Sequence, residues 1–322
     1  MIEELAPSGR VLLVCHVNPD GDALGSMLGT ALGLRRLGVR HLQATFPGPF
    51  DVPDPFVEMP GLDLLVPEEQ AYPDPDLVIF FDAAAESRLG GLVDRIGRAR
   101  AALVLDHHAS NTRFGGVNLV DAEAAATSVV AEELLARLGV TLDPEIAECL
   151  YVALATDTGS FKFDMTTPRV HEMAARLIAA GIRPGDISRR IFDSRPFGAM
   201  KLFADVLGRA ELDMAAADGH GMVWTYATLD DLARHGQRPY VLDALIDPVR
   251  CVADTDVSVV LKQTADADDW AVSLRSKGAV DVSAVAVALG GGGHRLAAGF
   301  TGHGGVEDVI GLIREQLDRH LT

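Results

Sequence analysis

The sequence predicts an α/β protein with a parallel-sheet N-terminal domain and a smaller α+β C-terminal domain. Short apolar runs alternate with helical stretches over the first two-thirds of the chain, which is the order of βαβ units around a parallel sheet. After residue 210 the pattern changes to short β runs. The length of 322 residues also fits about two domains, at roughly 150 residues each.

Three apolar runs in the first domain are typical of buried parallel strands, and they occupy residues 11–15, 77–81 and 102–105. Helical patterns are predicted at residues 23–37, 143–154 and 168–180. Asp143 suits an N-cap with Pro144 at the first helical position, and Gly38 suits the end of the first helix.

The change of pattern predicts the domain boundaries. Residues 1–183 form the first domain, residues 184–209 form a polar connector helix or linker, and residues 210–322 form the second domain. Strands of the second domain are predicted at residues 221–226, 257–261 and 270–274.

Charge and cysteine usage limit the partners and the compartment. The chain has 28 Lys and Arg against 46 Asp and Glu, a net charge of −18, so we expect no binding of long duplex nucleic acid and no docking on anionic membranes. Binding of a short phosphorylated ligand stays open, because metal ions or local arginines can make the electrostatic potential positive in one cleft. The three cysteines lie far apart, and no signal peptide or bilayer-spanning run is recognisable. The sequence therefore predicts a soluble, cytoplasmic protein.

Acidic and imidazole side chains follow each of the three predicted strands. They are His16, Asp20 and Asp22 after the first, Asp82 after the second, and Asp106, His107 and His108 after the third. In an open α/β sheet such positions converge on one crevice at the carboxyl edge, where so many titratable groups require cations to neutralise them. Carboxylate with imidazole, and without thiolate, suits Mn²⁺ or a similar divalent ion.

Five motifs, in order along residues 16–300, resemble those of the DHH-family phosphoesterases. Four resemble the catalytic-domain motifs of that family: residues 16–26 (HVNPDGDALGS), Asp82, residues 106–108 (DHH) and residues 155–161 (ATDTGSF). Residues 290–300 (GGGGHRLAAGF) resemble the signature of the substrate-binding domain that accompanies many members. The two-domain length is most similar to the group that degrades very short RNA (nanoRNA) to nucleoside 5′-monophosphates and converts 3′-phosphoadenosine 5′-phosphate (pAp) to AMP.

The resemblance implies a two-metal centre in the N-terminal domain that activates a water, with Mn²⁺ as the expected ion and Mg²⁺ or Co²⁺ as alternatives. The implied ligands are His16 and Asp20 on the first ion, Asp22, His107 and Asp157 on the second, and Asp82 bridging both. Whether Asp157 also contacts the first ion stays open. Asp82 and His108 are the predicted catalytic residues, with His108 either donating to the phosphate or leaving group or orienting a ligand, and Asp106 accepting a hydrogen bond.

The resemblance places substrate-binding residues in the C-terminal domain and the active site in the cleft between the domains. The predicted residues are Arg275, Ser276, Gly291, Gly292, Gly293 and His294. Glycine N–H groups can approach phosphate oxygens closely, and the planar arginine fork suits bidentate phosphate binding. The expected substrates are short oligonucleotides or pAp, and a homodimer is left open.

Other activities stay open at this point. A linear or cyclic dinucleotide phosphodiesterase would use the same motifs with a different pocket. A RecJ-like exonuclease for single-stranded DNA would call for a further nucleic-acid-binding domain, and a DHH-type inorganic pyrophosphatase is disfavoured by the glycine-rich His motif. A metal-bound nucleotide sensor would bind the same ligands without turnover.

Overall fold

The chain divides into two compact units, Met1–Ser194 and Arg195–Thr322, in a computed structural model that describes residue 2, residues 9–264 and residues 269–320. The segment predicted as a connector, residues 184–209, contains two helices, and the division between the units falls between them. Each unit has its own sheet and its own buried apolar core. In the described residues, no helix combines the length and apolar character that crossing a bilayer requires.

The first unit is built on a parallel sheet, as the sequence predicts. Its five strands are β1 (Arg10–Cys15), β2 (His41–Thr45), β3 (Leu77–Phe81), β4 (Ala101–Asp106) and β5 (Val117–Val120). Their spatial order is β2-β1-β3-β4-β5, and every neighbouring pair is parallel. The three strands predicted from apolar runs are the three inner ones. The edge strands were not predicted, because both are partly exposed and neither forms a continuous apolar run.

The helices of the first unit cover the sheet and supply part of the candidate site. They are α1 (Gly21–Arg36), α2 (Arg95–Arg98), α3 (Thr127–Arg137), α4 (Pro144–Asp157), α5 (Pro168–Ala179) and α6 (Pro184–Ile191). Helix α1 begins two residues earlier than predicted, because the Asp20 carboxylate caps it by accepting the Ala23 N–H (3.0 Å). The predicted cap of α4 is confirmed, since Asp143 accepts the N–H groups of Glu145 and Ile146. This helix continues past the predicted end, so that Asp157 is its last residue.

A row of glycines lets α1 approach α4 closely. Gly21, Gly25 and Gly29 recur at four-residue spacing, so they share one helix face. A Cβ atom at Gly25 would lie 2.3 Å from the Cys149 carbonyl oxygen, and one at Gly21 would lie 2.5 Å from the Thr156 hydroxyl. The glycines thereby fix the separation of the two helices that carry Asp22 and Asp157.

We expect Gly25→Ala to lower the free energy of unfolding by about 1–3 kcal/mol, because the added methyl meets backbone rather than a movable side chain. Activity should fall as well, because α1 and α4 would have to separate. Urea denaturation followed by circular dichroism measures the first effect. Gly97→Ala is the control: a Cβ there meets nothing within 4 Å, so stability should stay unchanged or rise by up to about 1 kcal/mol. Equal behaviour of the two variants would contradict the packing argument.

The second unit is a mixed α+β fold, again as predicted. Its strands are β6 (Glu211–Asp213), β7 (Met222–Ala227), β8 (Val257–Gln263), β9 (Asp269–Ser276), β10 (Gly292–His294) and β11 (Ala297–His303), in the order β10-β11-β9-β8-β7-β6. Only β7 and β8 pair in parallel among these strands. The helices are α7 (Phe197–Gly208), α8 (Leu229–His235), α9 (Ile246–Arg250), α10 (Val282–Ala288) and α11 (Val306–His320). Short 3-10 segments occupy Pro239–Leu245 in this unit and, in the first unit, Asp54–Phe56, Leu62–Leu64, Glu68–Gln70 and Glu86–Asp94.

Candidate active site

The side chains that follow the inner strands meet at one edge of the parallel sheet. The last paired residues of β1, β3 and β4 are aligned across the sheet, so His16, Asp82 and Asp106 all lie at its carboxyl edge. His107 follows directly, and the start of α1 brings Asp22 to the same edge. Parallel topology therefore gathers residues that are distant in the sequence into one cluster.

Asp82 has a left-handed backbone conformation, with φ of 56°. Asp tolerates this region better than most residues, yet a non-glycine residue there is under strain of about 1–3 kcal/mol. The surrounding structure holds it in place: its N–H donates to the Leu105 carbonyl (3.0 Å), and Asn111 donates to the next carbonyl, that of Ala83 (3.0 Å). Strain of this kind is typical of functional sites.

One side of the Asp82 carboxylate faces a first group of possible metal ligands. Oδ2 of Asp82 lies 3.4 Å from His16 Nε2, which lies 3.8 Å from Asp20 Oδ2. Ligand atoms of these three residues all lie within 4.8 Å of one another. His16 Nδ1 lies 2.8 Å from the Val17 carbonyl and 3.1 Å from the Arg88 guanidinium, so Nε2 is the ring nitrogen that faces the two carboxylates and could bind a metal.

The other side of Asp82 faces a second group. His107 Nε2 lies 3.6 Å from Asp82 Oδ1, 3.8 Å from Asp22 Oδ2 and 3.2 Å from Asp157 Oδ2. Its Nδ1 lies 3.2 Å from the Ala124 carbonyl, which again leaves Nε2 as the ligand nitrogen. The two oxygens of Asp82 thus face two different groups, which is what a carboxylate bridging two ions requires.

The charges of this cluster call for a cation. Burial, together with the charges of Asp82 and Asp157, raises the pKa of Asp22 well above its ordinary value. Burial also raises the pKa of Asp82, but the hydrogen bond with His16 and the charge of His108 outweigh it, so that this pKa is lowered. A mostly buried set of carboxylates and imidazoles fits a divalent ion that prefers oxygen and nitrogen ligands, such as Mn²⁺ or Mg²⁺.

His108 is held beside the cluster by Asp106. His108 Nδ1 lies 2.8 Å from Asp106 Oδ1, and the same carboxylate accepts the His107 N–H (2.8 Å) and the Asn111 amide (2.5 Å). Burial lowers the pKa of His108, but the hydrogen bond to Asp106 and the charge of Asp82 outweigh it and raise the pKa to about 9. The His108 ring is therefore fixed in orientation and suited to donating a proton or a hydrogen bond.

Several polar residues at the cluster were not predicted from the sequence. Thr127 and Ser26 donate hydroxyl hydrogen bonds to Asp82 (2.9 Å) and Asp22 (2.9 Å), and the Arg88 guanidinium lies 3.1 Å from His16 Nδ1. The only sequence signal for Thr127 is a hydroxyl residue at the start of a helical pattern, which is common at helix N-termini without any functional role.

Five of the six predicted substrate residues of the second unit lie on β9 and β10, and Gly291 directly precedes β10. His294 pairs with Ala297 on β11, which pairs with Arg275 on β9, so the three residues form one row across the sheet. Directly opposite residues share a sheet face, which puts the His294 and Arg275 side chains on the same face, two strand spacings or about 9–10 Å apart.

Gly292 and Gly293 belong to the hairpin strand β10, and Gly291 directly precedes it. A Cβ at Gly291 would lie 2.1 Å from the Gly299 carbonyl oxygen and one at Gly293 would lie 2.6 Å from that of Ala297, so close strand pairing requires glycine at both positions. Gly293 also has a φ of 140°. The Gly291 N–H donates to the Ala286 carbonyl (2.8 Å).

Ser276, the remaining predicted substrate residue, has a structural hydrogen bond. Its hydroxyl donates to Asp256 (2.7 Å) and accepts the Gly278 N–H (2.9 Å). These bonds fix the turn that follows β9, next to Arg275. A substrate role for Ser276 stays a prediction.

Comparison with known proteins gives the family. The chain matches the DHH family N-terminal domain over residues 10–154 and the DHHA1 domain over residues 224–321. The bifunctional oligoribonuclease and PAP phosphatase NrnA of Thermus thermophilus is 32% identical over 98% of this chain and 92% of that protein. NrnA of Bacillus subtilis is 25% identical over 93% and 91% of the two chains.

A solved structure shares the fold over nearly the whole length. It is that of an exopolyphosphatase-related protein from Bacteroides fragilis, with a TM-score of 0.85 and 21% identity, covering 99% of this chain and 95% of that one. This likeness shows the fold, and the relative of 32% identity together with the two domain matches in sequence order shows the family. The chain belongs to the DHH family and is a two-domain hydrolase, in which a DHH domain is followed by a DHHA1 domain.

Proposed function

We propose that this hydrolase cleaves short oligoribonucleotides to nucleoside 5′-monophosphates and removes the 3′-phosphate of pAp, using one site for both. The observation that carries the proposal is the Asp82 carboxylate, whose two oxygens face two separate groups of ligand atoms. The NrnA relatives, which match nearly the whole chain, favour these substrates over other phosphoesters.

Two Mn²⁺ ions are the proposed cofactors. The proposed ligands are His16, Asp20 and Asp82 for one ion, and Asp22, Asp82, His107 and Asp157 for the other. When bound, such an ion pair lowers the pKa of a water nucleophile and stabilises negative charge on the phosphoryl oxygens. Asp82 is the residue that the two ligand groups share, because each of its oxygens faces one group.

His108 is the proposed donor to the phosphate or leaving-group oxygen. Asp106 binds Nδ1 of His108 and so leaves Nε2 as the nitrogen that can donate. Since Asp106 also accepts the backbone N–H of His107, one carboxylate orients the His108 ring and holds the backbone that carries His107.

The second unit is proposed to bind the substrate phosphate and sugar. Arg275 and His294 present a cation and a donor on one face of the sheet, and the glycines of the edge strand β10 have no side chains that would keep a phosphate from the backbone. The net charge of −18 favours short substrates, because long nucleic acid binds through many neutralising contacts. The three free cysteines agree with the cytoplasm as the proposed location.

Arg275→Ala is expected to raise KM for pAp by about 10- to 100-fold, which is the loss expected for a charge-assisted hydrogen bond to phosphate. Its Mn²⁺ content, measured by elemental analysis, should stay equal to that of the wild type. Arg314→Ala is the control, since Arg314 pairs with Asp213 and has no proposed contact with substrate. A fall in metal content, or an unchanged KM, would contradict the assignment.

The substrate class is tested by product analysis with Mn²⁺ on pAp, pApA, a pentanucleotide RNA, a pentanucleotide DNA and long single-stranded DNA. We expect phosphate and AMP from pAp and monophosphates from the shortest RNAs. Activity confined to pApA would favour a dinucleotide phosphodiesterase, and preference for long DNA would favour an exonuclease. Tight binding of pAp without any product would favour a nucleotide sensor.

A further inference from the structure

The start of helix α3 binds two of the carboxylates in the proposed metal centre. The Thr127 N–H donates to Asp22 Oδ2 (2.7 Å), and the Thr127 hydroxyl donates to Asp82 Oδ1 (2.9 Å). The Ser128 N–H donates to Asp22 Oδ1 (3.2 Å). All four residues are buried. One residue, Thr127, therefore joins two carboxylates that belong to different elements.

These bonds replace an ordinary helix cap. The N-cap residue of α3 is Ala126, which has no side-chain acceptor for the first N–H groups of the helix. The Asp22 carboxylate from α1 accepts two of them instead. The N-terminus of a helix favours negative charge, so α3 stabilises Asp22 where the neighbouring carboxylates repel it.

The hydroxyl bond fixes the rotation of Asp82. Oδ1, the oxygen that Thr127 binds, faces His107, while Oδ2 faces His16. A rotated carboxylate would face neither ligand group correctly. Groups that orient a metal ligand in this way commonly change metal affinity by about 10–100-fold when they are removed.

We propose that Thr127 is a positioning residue that sets the Mn²⁺ affinity of the centre by orienting Asp82 and holding Asp22. This inference rests on the proposed metal centre. Thr127 acts through the two carboxylates, so its removal weakens metal binding more than substrate binding.

The experiment is a calorimetric Mn²⁺ titration of the metal-free full chain and three variants. Thr127→Val keeps the shape and the backbone N–H but removes the hydroxyl, and it should weaken Mn²⁺ binding by about 10–100-fold. Thr127→Ser keeps both donors and should bind within about 3-fold of the wild type. Ser128→Ala is the matched control: its hydroxyl has no hydrogen-bond partner among the described residues, so affinity should again change by less than about 3-fold.

Kinetics on pAp separate positioning from a general structural defect. Thr127→Val should lose activity at low Mn²⁺ and regain most of it at saturating Mn²⁺, with KM for pAp unchanged. Circular dichroism reports folding, and Thr127→Ala, with the same expected result, replaces the valine variant if that variant does not fold.

Wild-type affinity in Thr127→Val, or an equal loss in Thr127→Ser, would overturn the inference. A wild-type chain that binds no Mn²⁺ would contradict the proposed metal centre itself, and the titration distinguishes this outcome from failure of the Thr127 inference alone.

Discussion

Replacing Asp82 by Asn is expected to lower kcat/KM on pAp and on short RNA by about 10³-fold or more, equivalent to about 4 kcal/mol of transition-state stabilisation. The amide cannot supply two anionic oxygens, so both ligand groups lose their shared member. Asn tolerates the left-handed backbone of this position as well as Asp does, so the fold should be retained. Activity, Mn²⁺ content and circular dichroism are measured on the same preparation.

Asp76→Asn is the matched control for this variant. Residue 76 directly precedes β3, at the opposite end of the strand that Asp82 follows, and its carboxylate accepts the Arg10 N–H (2.8 Å). Its activity should stay within about 3-fold of the wild type. An Asp82→Asn enzyme with full Mn²⁺ content and substantial activity would contradict the bridging role.

Removal of divalent ions is expected to abolish hydrolysis and to lower the melting temperature. Without a cation, the buried carboxylates of Asp22 and Asp82 repel each other, and burial together with this repulsion raises the pKa of Asp22 well above its ordinary value. Mn²⁺ at a hundred times its dissociation constant would stabilise the chain by about 2.7 kcal/mol, corresponding to a rise in melting temperature of about 5–10 °C for a unit of this size. Melting curves with chelator, with Mn²⁺ and with Mg²⁺ measure this effect.

The same melting curves on Asp82→Asn provide the control. This variant should show a much smaller Mn²⁺-dependent shift, because each ligand group has lost a carboxylate oxygen. An equal shift in wild type and variant would mean that Mn²⁺ stabilises the chain at some other place. Full activity in the presence of chelator would contradict metal dependence.

The sequence predicted the parts of the fold that follow from burial. The inner strands β1, β3 and β4 are buried nearly throughout, so their sequences are short continuous apolar runs, which can be recognised as buried strands. The edge strands β2 and β5 are half-exposed and carry no such signal. These two segments are strands because they pair with β1 and β4, and the local sequence does not reveal that pairing.

The start of α1 shows a second limit. Asn18-Pro19-Asp20-Gly21-Asp22 has the composition of a turn, yet the helix begins at Gly21. Glycine is weak in a helix, but here contact with Thr156 leaves no room for a Cβ. This tertiary requirement overrides the local preference and puts Asp22 in the first turn.

For the site, the residues that follow strands could be predicted and the residues that orient them could not. His16, Asp82 and His107 stand out because polar groups directly after buried strands converge at one edge. Thr127 and Arg88 have no such context, and only the folded chain brings them to Asp82 and His16. The glycine run was predicted as a phosphate-binding motif, whereas its pairing with β11 became visible only in the structure.

The central claim is that one site cleaves both short RNA and pAp, and competition between these two substrates tests it most directly. Hydrolysis of a fluorescent pentanucleotide RNA with Mn²⁺ is measured at increasing pAp, and KM for pAp is measured separately from phosphate release. One shared site predicts purely competitive inhibition, with an inhibition constant equal to the KM of pAp, and loss of both activities together in Asp82→Asn. Independent hydrolysis of the two substrates, or survival of either activity in that variant, would contradict a single Asp82-centred site.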